Sequence, residues 1–221
     1  MSFASFDFLI FLSLFFLSIF FFKNSWKIIT ILFSLFFYSY WNLLLCSLLV
    51  FTVLQTYLIG NLISKNRTSS KKYLSLGLFI SLSILFVFKY FDFFVADLAK
   101  INLDGTVFER IILPIGISFY TFQSISYIVD VYYKKSEPTS LKNLFVFLCF
   151  FPQLIAGPIV RASTFIPQIK RGLNVNLNNF KKGLLLILWG YFLKICVSNN
   201  LDLYVNSVYN FIDESNTPTL I

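Results

Sequence analysis

The chain has 221 residues, of which 57% are hydrophobic and 13% are charged, and its formal net charge is +8. Soluble globular domains contain about 25% charged residues, and a soluble fold of this size could not bury the 30 Phe, 12 Tyr and 3 Trp of this chain. The composition therefore excludes an ordinary soluble domain. It predicts an all-α, polytopic membrane protein, because helices satisfy their own backbone hydrogen bonds in lipid.

The residue types that are missing exclude several kinds of chemistry. The sequence has no histidine, so acid–base catalysis by histidine, histidine metal sites and Ser-His or Cys-His pairs cannot be built from these 221 residues. Cys46, Cys149 and Cys196 lie too far apart for a Cys-x-x-Cys zinc or redox site, so no metal site is predicted. The basic residues stand between apolar segments, which indicates membrane orientation rather than nucleic-acid binding.

The apolar segments predict spans, each needing roughly 20 residues, at about residues 6–22, 28–40, 43–63, 73–95, 111–133 and 183–197. Residues 1–22 lack the basic start and the small-residue cleavage site of a signal peptide, so we expect a retained first span. The stretch from Ile28 to Ser64 has no charged residue and is long enough for two crossings. Their turn is predicted at residues 38–42, where aromatic side chains and an asparagine coincide.

The charges between the spans predict the orientation of the chain. Residues 65–72 and 161–182 carry basic side chains and no acid, whereas the tail at 198–221 carries acids and no base. The positive-inside bias places both basic segments in the cytoplasm, and it places the loop at 96–110 and the tail outside. The same bias puts the amino terminus outside.

Residues 144–160 are apolar but do not fit a simple crossing. Both flanks are basic and therefore predicted inside, while Pro152, Gly157 and Pro158 interrupt regular helix. We predict a re-entrant hairpin, which a membrane tolerates where protein or a water-filled cavity covers the backbone. The alternative is an ordinary span with a kink, which would invert the orientation of everything that follows.

A polar stripe runs along the span at 111–133. Its members recur at steps of four and three residues and so share one helix face: Gly116, Tyr120, Gln123, Tyr127, Asp130 and Lys134. Such a face is costly against lipid and should point to the protein interior or to a wet cavity. It is either the wall of a tunnel, with Gln123 and Asp130 orienting a polar group, or a packing seam in which Asp130 can pair with Lys134.

Two blocks, Leu113–Gln123 and Phe151–Arg161, are the most specific motifs of the chain. They read LPIGISFYTFQ and FPQLIAGPIVR; Tyr127 and Asp130 follow the first, and Pro167–Gln168 follows the second. In this order the blocks closely resemble the membrane-bound O-acyltransferase family. The nearest branch modifies bacterial polysaccharides and includes alginate and peptidoglycan O-acetyltransferases and D-alanyl transfer proteins. The resemblance covers essentially the whole chain.

The resemblance implies a ring of helices around a funnel in a bacterial inner membrane. It implies transfer of an acetyl or similar acyl group from a cytoplasmic donor, acetyl-CoA or an acyl carrier protein, to hydroxyls of a cell-envelope polysaccharide. It also implies a periplasmic or membrane-anchored acyltransferase partner and no bound cofactor. The family's catalytic histidine has no counterpart here, so we expect the chain to be the amino-terminal portion of a member and to be inactive alone.

The candidate site residues form two sets, a tunnel wall and a re-entrant motif: Tyr120, Gln123, Tyr127 and Asp130 for the first, and Gly157, Pro158 and Arg161 for the second. Arg161 is expected at the mouth of the funnel as a structural or donor-facing cation, because guanidinium groups bind carboxylate and phosphate well. The competing hypothesis is a non-catalytic membrane scaffold or a transporter-like remnant, which the absence of histidine favours.

Overall fold

The computed structural model describes residues 3, 5–40, 42–91, 94, 113–154, 157–173 and 176–214, with side chains as far as residue 209. The regular structure in these ranges is entirely helical, which confirms the all-α prediction. The α-helices in chain order are α1 Phe6–Phe21, α2 Trp26–Ser39, α3 Leu43–Lys65, α4 Ser70–Lys89, α5 Ile117–Tyr132, α6 Leu141–Cys149, α7 Phe151–Leu154, α8 Ala162–Arg171, α9 Leu177–Phe192 and α10 Asn199–Glu214.

Three helical stretches in the described ranges are long and apolar enough to cross a membrane: Leu43–Lys65, Arg67–Lys89 and Leu177–Tyr209. Phe6–Phe21 and Lys23–Ser39 meet at 112° and pass the same test only as a pair. Their predicted separate crossings remain a prediction. By length and composition the protein is polytopic and membrane-bound, as predicted.

The predicted turn at residues 38–42 lies where α2 ends and α3 begins. The side-chain oxygen of Asn42 accepts hydrogen bonds from the backbone N–H groups of Leu44 at 2.8 Å and Leu45 at 3.3 Å. Asn42 therefore caps α3 at its amino end, the role for which asparagine is strongly preferred. Trp41, also in the predicted turn, lies outside the described residues.

The last helical stretch is longer than the predicted span at 183–197. It begins at Leu177, passes through a π-helical segment at Leu193–Ser198 and continues as α10, so the described part of the predicted tail is helical as far as residue 214. The physical reason is that no proline or glycine occurs between residues 191 and 214 to end the helix. The predicted outer loop at 96–110 lies outside the described residues.

The chain divides into two compact units: Leu14–Leu173, and Met1–Ser13 with Asn174–Ile221. In the first unit α3, α4 and α5 pack against one another, α2 packs against α3 and α6, and α8 packs against α5 and α6. Its buried core includes the rings of Phe37, Phe147 and Phe151. In the second unit the Tyr191 hydroxyl donates a hydrogen bond to the carbonyl of Phe3 at 2.6 Å.

The helices α3 and α5 approach each other closely at Gly60. A Cβ atom on Gly60 would lie 2.8 Å from Cε1 of Tyr127. Tyr127 is fully buried, so its ring has no free space into which it could move. The small residue is therefore required by the packing of the two helices.

Gly60→Ala is expected to lower the free energy of unfolding by about 1–2 kcal/mol, because the added methyl group overpacks the α3–α5 contact. Thermal unfolding in detergent measures the change. Gly183→Ala is the control, because a Cβ at Gly183 meets no described atom within 4 Å. Equal destabilisation by both substitutions would contradict the assignment.

Candidate functional site

The segment between α5 and α8 starts and finishes beside the carboxyl-terminal part of α5. Before α6, the backbone N–H of Thr139 donates to the Tyr127 hydroxyl at 3.1 Å. At the start of α8, the backbone N–H of Ser163 donates to the Asp130 carboxylate at 3.3 Å. Both ends of the segment are thus held within one turn of α5, since Tyr127 and Asp130 are three residues apart on the helix.

The tip of the same segment reaches the other end of α5. Gly116 is the residue before α5, and a Cβ there would lie 2.2 Å from the carbonyl oxygen of Leu154. Positions 116 and 130 are about 21 Å apart at 1.5 Å per helical residue. The chain runs out along α5 to Leu154 and returns to Asp130, as a re-entrant hairpin does and a kinked span does not. The segment is therefore a hairpin packed along α5, and its re-entrant placement in a membrane stays a prediction.

The polar stripe on α5 points into the protein. The exposed fractions are 0% for Tyr120, 3% for Gln123, 0% for Tyr127 and 6% for Asp130. Burial of this face agrees with the cost of a polar surface against lipid. It agrees with a tunnel wall and with a packing seam, so the tunnel role of these four residues stays a prediction.

Asp130 acts as the cap of a neighbouring helix. Helix α8 begins after Arg161, whose side chain makes no capping hydrogen bond. The Asp130 carboxylate takes that place by accepting from Ser163, and its negative charge lies where the helix dipole is positive. In this structure Asp130 makes this bond rather than an ion pair with Lys134, which lies two residues beyond the end of α5 and has a left-handed φ of 58°.

The sequence has close counterparts among curated proteins. Over 203 residues it is 34% identical to the peptidoglycan O-acetyltransferase of Helicobacter pylori. This alignment covers 79% of the present chain and 38% of the Helicobacter pylori protein. It is 34% identical over 178 residues to the probable alginate O-acetylase AlgI of Pseudomonas putida. That alignment covers 76% of the present chain and 36% of the Pseudomonas putida protein. The probable alginate O-acetylase AlgI of Pseudomonas syringae is 32% identical over 202 residues. Here the alignment covers 87% of the present chain and 38% of the relative.

The chain is homologous to these O-acetyltransferases, which are members of the membrane-bound O-acyltransferase family. The resemblance predicted from the two sequence blocks is thereby confirmed. The matched region amounts to somewhat over a third of the length of these curated relatives. No protein-family model matches the chain, and no solved structure matches it.

The hairpin is also bonded to α2. The Lys27 ammonium donates to Oδ1 of Asn143 at 2.8 Å, and Nδ2 of Asn143 donates to Oγ1 of Thr139 at 3.1 Å. Further along, the backbone N–H of Phe151 donates to Oγ of Ser34 at 3.3 Å. Sequence reasoning missed the two contacts with α2, because their partners lie 116 and 117 residues apart and share no periodic pattern.

The second motif forms the return of the hairpin. Nε2 of Gln153 donates to the carbonyl of Pro158 at 2.7 Å, and Gly157 packs on the Gln153 side chain. The chain then reaches Arg161, which is exposed at the start of α8. The structure therefore brings Asp130 close to the backbone around Arg161, whereas Gly157 and Pro158 stand earlier on the return path.

An arginine stabilises the carboxyl-terminal end of α5. Nη1 of Arg67, in the turn between α3 and α4, donates to the carbonyls of Val131 at 3.4 Å and Tyr132 at 3.3 Å. A positive charge at a helix carboxyl terminus opposes the dipole there. Arg67 thus joins the basic turn 65–72 to the end of α5 at which the hairpin starts and finishes.

Within the described residues, no group of three or more His, Cys, Asp or Glu side chains could hold a metal.

Proposed function

We propose that this chain is part of a membrane O-acyltransferase that transfers an acetyl or similar acyl group to hydroxyls of a cell-envelope polysaccharide. Its relatives are named for O-acetylation of peptidoglycan and alginate, which supports the proposal. The observation that carries it is the joint unit of α5 and the hairpin. There the two family motifs meet at Gly116 and Leu154, and a hydrogen bond joins residues that follow them in the sequence, Asp130 and Ser163.

In this proposal α5 supplies one wall of the acyl-transfer tunnel. Its buried face offers two phenol hydroxyls, an amide and a carboxylate over about three helical turns. Gln123 and Asp130 are the groups that would orient a polar substrate or the carbonyl of the acyl group. The re-entrant hairpin would cover this wall from the cytoplasmic side and exclude water from the reacting groups.

The acyl donor is proposed to approach from the cytoplasm as acetyl-CoA or an acylated carrier protein. Arg161 is exposed at the hairpin's return and can bind the phosphate or carboxylate groups of such a donor. The positive-inside bias supports this side, and it places the amino terminus outside a bacterial inner membrane. A periplasmic or membrane-anchored acyltransferase is the proposed partner on the acceptor side.

These 221 residues contain no histidine, so the histidine that the family uses has to come from outside them. We propose that the segment is the amino-terminal portion of the enzyme and is inactive alone. It would provide the tunnel wall, the hairpin and the donor-facing cation, and the reacting base would be supplied by other residues of the assembly.

A chimera tests the proposal. This chain replaces the matched segment of the Helicobacter pylori peptidoglycan O-acetyltransferase, and acetylation of peptidoglycan is measured in cells that lack the native enzyme. We expect transfer by the chimera. We expect Arg161→Ala to reduce the transfer at least tenfold with unchanged membrane insertion, because one charge-assisted contact is worth about 1.5–3 kcal/mol.

Arg171→Ala is the matched control, since Arg171 is an exposed arginine at the opposite end of α8. Transfer by this variant should equal that of the parent chimera. Unchanged transfer by Arg161→Ala would refute the role of Arg161. A chimera that inserts but never acetylates would favour the scaffold hypothesis, and acetylation by the 221-residue chain alone would refute its inactivity.

A further inference from the structure

A cluster of polar side chains from three helices lies at mid-depth in the first compact unit, apart from the hairpin. Its members are Gln55 and Thr56 on α3, Ser81 on α4 and Ser124 on α5. Their exposed fractions are 6%, 0%, 1% and 0%. Gln55 lies near the middle of a candidate membrane span of 23 residues, about 15 Å or more from either end.

The amide nitrogen of Gln55 is the centre of the cluster. Nε2 lies 3.0 Å from Oγ of Ser81, and 3.4 Å from both Oγ1 of Thr56 and Oγ of Ser124. The Thr56 hydroxyl donates to the carbonyl of Thr52. The hydrogen bond between Thr56 and Ser124 must therefore use the proton of Ser124.

Two hydrogen-bonding groups remain unused after this assignment. Oε1 of Gln55 is buried and accepts no hydrogen bond from any described residue. The Ser81 hydroxyl accepts from Gln55, and its own proton meets no acceptor in the described part of the chain. One acceptor and one donor are thus left over, on two side chains that already contact each other.

Turning the Gln55 amide does not remove the imbalance. In the turned orientation the amide oxygen would accept from the Ser81 hydroxyl. The amide nitrogen would then lie where Oε1 now lies, and its N–H groups would find no acceptor there. A buried amide with an unpaired atom is costly, above all within a membrane span. A leucine or methionine would avoid that cost, so the polar groups need a partner with both a donor and an acceptor.

We propose that Gln55 and Ser81 bind a buried water molecule between α3 and α4, on the side where both helices pack against α5. The water donates to Oε1 of Gln55 and accepts from the Ser81 hydroxyl. Both leftover groups are then satisfied, as is usual for buried waters in proteins. The water thus becomes part of the polar contact among α3, α4 and α5. This proposal is independent of the proposed acyl transfer.

Solution NMR of the whole chain in lipid nanodiscs tests the proposal with water as the probe. The Gln55 side-chain amide signals are assigned by their loss in Gln55→Leu. We expect a cross-peak between these protons and the water resonance. In a rotating-frame Overhauser experiment it should have the sign of a dipolar contact, which is opposite to the sign of chemical exchange. Ser81→Ala should abolish the cross-peak.

Ser47→Ala is the matched control, because Ser47 is an exposed serine of α3 whose hydroxyl bonds to its own helix at the Leu44 carbonyl, 2.6 Å away. The cross-peak should persist in this variant. An assigned Gln55 amide without a dipolar water contact in the unmodified chain would overturn the proposal, and so would a cross-peak that survives in Ser81→Ala.

Discussion

Gly116→Ala is expected to lower the free energy of unfolding by about 2–5 kcal/mol and to release the tip of the hairpin from α5. The backbone contributes first, because Gly116 has a φ of 75° and a left-handed conformation costs an alanine about 1–2 kcal/mol. The contact contributes more. The new Cβ would lie 2.2 Å from the carbonyl oxygen of Leu154, and overpacking of this kind costs about 1–3 kcal/mol.

Thermal unfolding in detergent measures the first effect, and proteolysis of residues 150–161 measures the release of the tip. Gly172→Ala is the control, because Gly172 also has a positive φ, of 84°, yet a Cβ there meets no described atom within 4 Å. Gly172→Ala should therefore show only the backbone cost and no new cleavage in the hairpin. If Gly116→Ala, like Gly172→Ala, shows no new cleavage in the hairpin, the contact between Gly116 and Leu154 is not what holds the tip.

Asp130→Leu is expected to lower the free energy of unfolding by about 2–3 kcal/mol, because it removes a helix cap and leaves a backbone N–H without a partner. Loss of the carboxylate frees Ser163 and with it the first turn of α8. Asp130→Asn retains an oxygen that can accept from Ser163. It should cost much less, because asparagine is as good a cap as aspartate.

Trypsin cleavage after Arg161 is the specific readout, since a frayed first turn of α8 exposes the bond to Ala162. We expect faster cleavage at Arg161 in Asp130→Leu and near-parental cleavage in Asp130→Asn, with cleavage at the more distant Lys181 unchanged in both. Parental cleavage in Asp130→Leu would refute the capping role. Fast cleavage in both variants would show that the charge itself, rather than an acceptor, stabilises α8.

The class of protein and the resemblance to the acyltransferase family could be predicted from the sequence alone. Composition decides the class, because 13% charged residues and 20% aromatic residues leave lipid as the solvent of the helices. The hairpin followed from Pro152, Gly157 and Pro158 between basic flanks. These signals are local: each depends on residues that are neighbours in the sequence, or on the number of residues of one kind.

Helix bounds were less predictable. The last span was predicted to end at residue 197 and to be followed by an acidic tail, yet the described part of that tail is helical as far as residue 214. Isolated acidic residues do not end a helix, whereas proline and glycine do, and neither occurs there. Charge indicates the side of the membrane and carries little information about where a helix stops.

The tertiary structure alone decided what the polar residues contact. Periodicity predicted that Asp130 shares a face with Gln123, but its bond to Ser163 spans 33 residues of sequence and has no period. The cluster around Gln55 brings together three helices and was not predicted at all. A repeat of three or four residues reports the side of a helix on which a residue lies. The partner on that side depends on how separate helices pack, which no local pattern encodes.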